Sequence, residues 1–303
     1  MNANSHFNMN EPVRQMLDKV LVYGRMIKFS HSVFALPFVL SAVVLAGRTH
    51  DITLMGVFWI IVAAVSARSA AMGFNRIVDE SYDRANPRTR NREIPSGQLS
   101  KTSAIWFVLF FSLLFVFAAG MLGRLCLWFS VPVLLVLFGY SFTKRFTRWC
   151  HVYLGFAISL APLGAWIAIT DSFSSGILSL SLALLTYIAG FDIIYACQDT
   201  DFDKSQNLFS LPSLAGVRTA LFLSSLLHVL SFVFFLGVYF LFDLGPVYLA
   251  TVLIIGALFI VEHRLVNPDD LKHIHVAFFH VNSVISVLLF AGILADEVVR
   301  RWS

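Results

Sequence analysis

Charged residues are scarce in this chain of 303 residues. Asp, Glu, Lys and Arg make up 13% of the sequence, against about 25% in ordinary globular proteins. Hydrophobic residues make up 58%, and the mean hydropathy is +0.77. A soluble core cannot bury that much apolar surface. The composition therefore excludes a soluble globular protein and predicts an all-α polytopic membrane protein, because a spanning helix satisfies its own backbone hydrogen bonds.

Cysteine and clustered positive charge are also scarce. The three cysteines (Cys126, Cys150 and Cys197) have no metal-ligand spacing, and their odd number argues against a disulfide framework. The net charge of +4 is spread over loops, so no nucleic-acid partner is expected. The polar N-terminal segment 1–26 lacks the apolar core of a signal peptide. No obligate protein partner is evident.

What the sequence does contain is a series of apolar runs about 20 residues long, each sufficient for a spanning helix. We find nine and predict a single membrane domain over 1–303. They lie near 29–47, 52–74, 103–122, 125–142, 152–170, 177–197, 219–241, 246–263 and 275–295.

The positive charges predict an orientation for these spans. Seventeen of the 22 Lys and Arg fall on the side that carries the N-terminus, four fall on the other side, and Arg68 lies within a span. Positive charge is retained on the cytoplasmic side, so we expect a cytoplasmic N-terminus and an outer C-terminus. We expect the membrane to be a bacterial inner membrane.

Two polar segments resemble each other. DESYDR begins at Asp79 and DTDFDK begins at Asp199, and a Pro-Ser pair follows each. The two segments are separated by four spans, as in membrane folds built from repeats. We predict four-helix halves over 27–148 and 149–265, followed by a final helix over 275–295. The alternative is a chance match of six residues.

The same segments predict a metal site. Their polar side chains recur every four residues, and this spacing places them on one face of a helix. Facing carboxylates repel, and Mg²⁺, which prefers oxygen ligands and often bridges carboxylate to phosphate, would relieve this repulsion. The alternative is a set of solvated loop charges. The candidate ligands are Asn75, Asp79, Asp83, Asp199 and Asp203, with Tyr195 one turn before Asp199.

Basic residues lie on the same predicted side and suit a diphosphate. Pro87 prevents a simple helix through the first basic group. The alternative is ordinary positive charge on cytoplasmic loops. The candidates are Arg88, Arg90 and Arg92 after the first motif, and Lys144 and Arg145 after Tyr140.

Arg68 stands alone in an apolar span, seven residues before Asn75. A charge within the bilayer is costly unless it has a partner, so Arg68 is expected to face a cavity. It would pair with a site Asp or bind a substrate carboxylate. His228, His280 and Asn282 also lie within spans, and we interpret them as hydrogen-bonding groups between helices.

At these residues the chain resembles the UbiA superfamily of intramembrane aromatic prenyltransferases. NRIVDESYD at 75–83 matches the family's NxxxDxxxD, and YACQDTDFD at 195–203 matches YxxxDxxxD. YSFTKR at 140–145 and the run NPRTRNREIPSG resemble further family segments. The resemblance covers nearly the whole chain.

The resemblance implies a helical bundle with a lateral opening to lipid. Asn75, Asp79, Asp83, Asp199 and Asp203 would bind Mg²⁺ and the diphosphate of a polyprenyl donor, with Asp199 a candidate for holding the phenolic proton. The substrates would contact Arg68, Tyr140, Lys144, Arg88, Arg92 and Tyr195. The donor's tail would lie in an apolar channel, which some of the 30 phenylalanines could line.

The ubiquinone branch of this family prenylates 4-hydroxybenzoate ortho to its hydroxyl. SARSAAMGFNRIVD and QDTDFDKSQNLFSLP also resemble a subgroup whose acceptor is a hydroxynaphthoate of menaquinone synthesis. Two other classes stay open from the residues alone. One is a transporter with an acidic ion site, and the other is a binding protein that keeps the fold without activity.

Overall fold

The structure is a computed structural model that describes residues 11–268, 271, 274 and 276–302. Every regular element in this part of the chain is a helix, so the all-α prediction is confirmed. The α-helices are α1 Glu11–Met26, α2 Leu36–Ala46, α3 Leu54–Val78, α4 Glu80–Ala85, α5 Lys101–Leu122, α6 Arg124–Thr143, α7 Cys150–Thr170, α8 Ser175–Ala196, α9 Thr200–Ser205, α10 Leu211–Ala215, α11 Val217–Leu241, α12 Pro246–Leu265 and α13 Asn282–Trp302. Short 3₁₀ segments span Phe29–Phe34 and Cys197–Asp199, and a π-helical segment, Val276–Val281, leads into α13.

Eight helices in the described residues are long and apolar enough to cross a membrane. They are α3, α5, α6, α7, α11 and α12, together with Ser175–Ser205, which joins α8 to α9, and Val276–Trp302. This agrees with the predicted polytopic membrane protein. The number of crossings and the side of the N-terminus stay predictions.

The predicted first span, 29–47, is not one continuous helix. It consists of the 3₁₀ segment Phe29–Phe34 and the eleven-residue helix α2, with Ala35 between them. Pro37 lies in the first turn of α2. A proline in the first turn removes no backbone hydrogen bond of the helix, so Pro37 suits the start of α2.

Several long helices begin at a hydroxyl side chain. The hydroxyl oxygens of Thr53, Ser100 and Ser174 accept hydrogen bonds from backbone N–H groups three residues later, at 3.0, 3.1 and 3.2 Å. These N-caps satisfy donors that the first turn leaves free. They fix where α3, α5 and α8 begin.

Helix α8 lies at the centre of the second half, packed between α7 and α11. Its apolar side chains are buried nearly all round, including Leu184 and Ile188. A Cβ added at Gly155 of α7 would come within 2.2 Å of the Leu185 carbonyl oxygen, so a glycine is required at this contact. The close packing holds α8, and with it the second motif, in a fixed position.

Two of the three polar side chains assigned to helix contacts make them. His228 lies 3.0 Å from His263 between ring nitrogens, and Asn282 donates to Glu262 at 2.7 Å. His280 differs, because its side chain is exposed. Its ring instead contacts the neighbouring Phe279 ring edge-on.

The two motif segments share a local order. In each, a six-residue helix (α4 or α9) begins directly after a motif Asp, and a long helix (α3 or α8) precedes that Asp. The next long helix begins after a loop. This order agrees with a repeat, and the halves 27–148 and 149–265 stay a prediction.

Candidate active site

The predicted site residues come from several parts of the chain and meet at one end of the bundle. They lie at the ends of α3, α6 and α8, on the short helices α4 and α9, and in the loop 86–100. Hydrogen bonds and ion pairs between these elements draw the two motifs together.

The first motif lies where α3 passes into α4. Asn75 donates to the Asp79 carboxylate at 2.7 Å, and Asp79 forms a 3.3 Å ion pair with Arg145. Asp83 is buried and accepts from Arg92 with both carboxylate oxygens, at 2.6 and 2.7 Å. The sequence predicted the acids, and it treated Arg145 as a possible diphosphate ligand.

The spacing predicted that the first motif lies on one uninterrupted helix, and the structure instead has a helix boundary within it. Asp79 ends α3 and begins α4, with φ −92° and ψ 7°. The backbone bonds from Asp79 to Asn75 and from Asp83 to Asp79 keep the four-residue spacing, at 2.9 and 2.8 Å. The bend therefore changes the direction of the chain without separating the motif residues.

The second motif pairs with the loop that follows the first. Arg88 donates from Nε to Asp199 at 2.9 Å and from Nη1 to the Tyr195 hydroxyl at 2.7 Å. Asn86 donates to the same carboxylate at 3.1 Å. A guanidinium that binds a carboxylate through two nitrogens fixes both distance and orientation. Arg88 therefore connects the two halves of the site.

Lys144, just after α6, completes the set of pairs. It donates to both oxygens of the buried Asp203 at 3.1 and 2.9 Å. Burial by itself lowers the pKa of an ammonium, but the Asp203 carboxylate raises the pKa of Lys144 above its ordinary value. Lys144 is therefore charged at neutral pH.

Burial shifts the pKa of Asp79 and the pKa of Lys28, in each case toward the neutral form. Burial raises the pKa of the Asp79 carboxyl above its ordinary value, and the Asp83 charge raises it further. Burial also lowers the pKa of Lys28 to about 7, helped by Arg76, Arg92 and Arg88. Lys28 lies over the Tyr195 ring, 5.6 Å from its centroid. The concentration of positive charge at this end favours an anionic ligand.

The five predicted metal ligands supply carboxylate and amide oxygens, the donors that Mg²⁺ prefers. In the described residues each motif Asp has a basic partner, and no three acidic, histidine or cysteine side chains are grouped as a metal site. The donor chemistry fits Mg²⁺. The basic partners would have to move from the carboxylates to phosphate oxygens as the metal binds.

An apolar cavity of about 330 Å³ begins beside the first motif. Asn75 and Tyr140 line it near the motif, and Arg68 lines it farther along α3. Cys126, on α6, and Phe173, just after α7, line its far part. Cys126 and Tyr140 are fourteen residues apart on α6, which is about 21 Å along a helix. The cavity is therefore long and narrow, and its one strongly polar end meets the Asp and Arg pairs.

Arg68 lines the cavity, as its position in an apolar span predicted. Its Nη2 donates weakly to the Lys28 carbonyl at 3.5 Å, and its Nε is buried without a hydrogen-bond partner in the described residues. No ion pair with a site Asp is present among the described pairs. The guanidinium keeps donors available for a ligand in the cavity.

Sequence reasoning did not single out every residue at the site. Asn86 and Lys28 contact the second motif, and a lone asparagine or lysine at a membrane boundary gives no repeating pattern. Arg90, named with its neighbours, is exposed. The run N-P-R-T-R-N-R was the available signal for Asn86.

Comparisons with known proteins agree with this geometry. The model of the UbiA prenyltransferase family matches residues 35–284. A 4-hydroxybenzoate octaprenyltransferase of Nitrosomonas eutropha is 29% identical over 79% of this chain and 83% of its own length.

Two solved structures share the fold. A UbiA homolog from Aeropyrum pernix K1 has a TM-score of 0.80 and 28% identity, covering 88% of this chain and 98% of that one. A UbiA homolog from Archaeoglobus fulgidus, bound to GPP and Mg²⁺, has a TM-score of 0.69 at 18% identity, covering 91% and 99%.

Proposed function

The chain belongs to the UbiA prenyltransferase family, and on that premise we propose that it transfers a polyprenyl chain from a polyprenyl diphosphate to the ring of 4-hydroxybenzoate. The reaction depends on Mg²⁺ and serves the synthesis of a ubiquinone-type quinone. A hydroxynaphthoate of menaquinone synthesis is the alternative acceptor. The protein lies in a bacterial inner membrane, and its site faces the cytoplasm.

The observation that carries this proposal is the cavity and its polar end. An apolar space about 21 Å long suits an isoprenoid chain, and it ends where Asn75 hydrogen-bonds to Asp79. A donor with its tail in the cavity has its diphosphate among the basic side chains. The C–O bond that breaks then lies between the apolar cavity and the basic side chains.

The basic side chains bind the diphosphate and stabilise it as it leaves. Arg88, Arg92, Lys144 and Arg145 each hold a motif carboxylate in the free protein. Their planar or ammonium donors can turn to phosphate oxygens, which carry more negative charge than a carboxylate. Charge that builds on the leaving diphosphate is then met by groups already in place.

Asn75, Asp79, Asp83, Asp199 and Asp203 would hold Mg²⁺, which supplies charge neutralisation on the leaving diphosphate. The GPP and Mg²⁺ in the Archaeoglobus fulgidus structure support this assignment by analogy of fold. The acceptor is bound by side chains of the protein. Arg68 offers free donors for its carboxylate, and the enclosed cavity excludes water that would capture an allylic cation.

The name of the Nitrosomonas eutropha relative supports the choice of 4-hydroxybenzoate. The transporter alternative predicts a polar path through the bundle, and the cavity wall is instead mostly apolar. Membership of a prenyltransferase family favours an enzyme over a transporter or an inactive binding protein.

The test is product formation in membranes that contain the protein. Membranes are given polyprenyl diphosphate and Mg²⁺ with a panel of hydroxybenzoates and hydroxynaphthoates, and the products are identified by mass spectrometry. Matched membranes with Asp79→Ala or Asp199→Ala control for activity of the host. We expect prenylated 4-hydroxybenzoate from the unaltered protein only. Prenylated hydroxynaphthoate alone would assign the alternative acceptor, and no product from any acceptor would contradict the proposal.

A further inference from the structure

Asp192 is a carboxylate residue of the mostly buried helix α8 and lies outside both motifs. Its Oδ2 lies 2.7 Å from Nδ1 of His151, at the start of α7. His151 is almost fully buried, whereas the Asp192 side chain is 18% exposed. The pair joins α7 to α8 beside the site and belongs to neither Asp motif.

His151 has a partner at each ring nitrogen. The backbone N–H of Leu211 lies 3.4 Å from Nε2, and Nδ1 faces the Asp192 carboxylate. His151 therefore fixes the orientation of the carboxylate. The four motif carboxylates differ, since each is paired with Arg or Lys.

Asp192 is partly exposed and lies on the helix face that leads to the second motif. From Thr186 to Thr200 the chain is buried except at Asp192, Tyr195 and Gln198. Asp192 and Tyr195 are one helical turn apart on the same face, and Tyr195 already contacts Arg88. Among the described residues, no group donates a hydrogen bond to Oδ1 of Asp192. This oxygen is not one of the buried atoms that lack a partner, so it is at least partly accessible. Tyr140, a cavity residue, interacts electrostatically with both Asp192 and Asp79.

Depth along the helices places Asp192 between the diphosphate and Arg68. Asp192 lies seven residues before Asp199, about 10 Å deeper along its helix. Arg68 lies eleven residues before Asp79, about 16 Å deeper by the same rise. In 4-hydroxybenzoate the carboxylate and the hydroxyl stand at opposite ends of the ring. With its carboxylate at Arg68, its hydroxyl points back toward the level of Asp192.

We infer that Asp192, oriented by His151, binds the hydroxyl group of the aromatic acceptor and takes its proton during prenyl transfer. This inference rests on the proposed function. Asp192 is the catalytic residue, and His151 is a positioning residue.

The hydroxyl proton passes to Asp192 while the ring carbon beside that oxygen bonds to the allylic carbon. The allylic C–O bond breaks, and its electron pair leaves with the diphosphate. The ring proton on the new bond's carbon then passes to the released diphosphate. The oxygen regains its proton from Asp192, and the aromatic ring is restored.

The first test replaces Asp192 by Asn, which keeps the shape and removes the base. With 4-hydroxybenzoate, polyprenyl diphosphate and Mg²⁺, kcat should fall about 100-fold or more, the usual contribution of a general base. The KM for the donor should not change. Asp201→Asn is the matched control, since Asp201 is an exposed acid on the same segment, and its kcat should stay at the wild-type value.

A second measurement separates proton transfer from a structural role. A halogen beside the hydroxyl makes the acceptor more acidic, so less help from a base is needed. The ratio of wild-type to Asp192→Asn kcat should therefore be smaller for 3-chloro-4-hydroxybenzoate than for 4-hydroxybenzoate. A structural defect would lower both rates by the same factor, and that result would overturn the inference.

His151 provides an independent variant should Asp192→Asn fail to fold. Gln can donate to Asp192 and accept from Leu211, whereas Leu can do neither. We expect His151→Gln to keep a larger share of kcat than His151→Leu, with donor KM unchanged in both. Equal kcat in the two variants would contradict the positioning role. Wild-type protein that prenylates no acceptor would overturn the proposed function as well, whereas an active wild type with fully active Asp192→Asn would overturn this inference alone.

Discussion

At the scale of single residues, the acidic groups of the site form ion pairs with its basic groups. Each motif Asp lies in an ion pair with at least one Arg or Lys, and three of these four carboxylates are buried. Buried charges without partners would cost several kcal/mol each. The pairs therefore offset this cost in the free protein, and under the proposed function the same basic groups would become diphosphate ligands when the donor binds.

Arg68 is predicted to bind the acceptor and not the donor. Its Nε has no partner among the described residues, so substitution breaks no ion pair. For Arg68→Ala we expect the acceptor KM to rise by about 10- to 100-fold, the loss of one charge-assisted pair worth roughly 1.5–3 kcal/mol. The donor KM should change little. Steady-state kinetics with each substrate varied in turn measures both values.

Arg68→Lys is the matched variant for this prediction. An ammonium keeps the charge and loses the planar fork, so it should restore the acceptor KM only in part. An unchanged acceptor KM in folded Arg68→Ala protein would exclude the carboxylate role.

Lys28 predicts a pH dependence of donor binding. Its folded-state pKa of about 7 is below the ordinary lysine value, so it is charged below pH 7 and neutral above. A bound diphosphate favours the charged form and raises this pKa, so donor binding takes up a proton above pH 7. The donor KM should therefore rise as pH increases from 7, by at most about tenfold per pH unit.

The measurement is donor KM between pH 6 and pH 9 for wild type and Lys28→Met. The variant should lose the rise that starts near pH 7. Lys19→Met, at an exposed lysine of α1, is the control and should keep it. A wild-type donor KM that stays flat over this range would count against Lys28 as a diphosphate ligand.

The sequence predicts the motif residues well and their partners poorly. Asp79 and Asp199 stand out because their segments repeat. Arg88 pairs with an Asp 111 residues away, and nothing local in the sequence indicates that pairing. Asp192 and His151 are single polar residues at the ends of apolar runs, where no period marks them.

At the scale of elements, apolar run length located the long helices closely. The runs 125–142 and 246–263 became Arg124–Thr143 and Pro246–Leu265. Length could not locate breaks within a run. The helix boundary at Asp79 and the short α2 depend on backbone bends and on Pro37, which hydropathy does not register.

A cluster at the opposite end of the bundle from the site ties three elements together. Arg48, after α2, forms a 2.9 Å ion pair with Glu297 of α13 and donates to the carbonyls of Phe242 and Asp243. The Glu297 side chain is 4% exposed, and Arg300 also pairs with it at 2.7 Å. Arg48 therefore holds the end of α2 in contact with the α11–α12 turn and with α13.

Removing Arg48 should destabilise the fold without altering the chemistry. Breaking a buried ion pair usually costs about 3–5 kcal/mol, and Arg300 should reduce the loss for Arg48→Ala to about 2 kcal/mol. Thermal unfolding in detergent measures this, with Arg124→Ala as control, because Arg124 is exposed. A melting temperature equal to that of wild type would show that the cluster contributes no net stability.

At the scale of the whole molecule, the proposed function requires both predicted halves to supply ligands for the metal and the diphosphate. Asp79 and Asp83 come from the first half, and Asp199 and Asp203 come from the second. We expect excess chelator to abolish turnover and added Mg²⁺ to restore it, because oxygen ligands of this kind select Mg²⁺. Full turnover in excess chelator would contradict a metal-dependent reaction.

The length of the cavity is expected to set which donor chain length the protein prefers. Gly164 lines the cavity on α7, and a Cβ placed there would meet nothing within 4 Å. It lies fourteen residues into α7, about 21 Å from the start of the helix near the site. A large side chain at this position would fill the far part of the cavity, where only the tail of a long donor reaches.

Gly164→Phe should therefore shorten the preferred donor. We expect kcat/KM for a long polyprenyl diphosphate to fall about tenfold or more, while kcat/KM for geranyl diphosphate stays near the wild-type value. Gly120→Phe is the matched control, because Gly120 is exposed on α5 and is not among the residues that line the cavity. Equal losses for short and long donors in Gly164→Phe would mean that the prenyl tail does not occupy this cavity. A selective loss of the long donor would place the tail along α7, with its diphosphate at the Asp and Arg pairs.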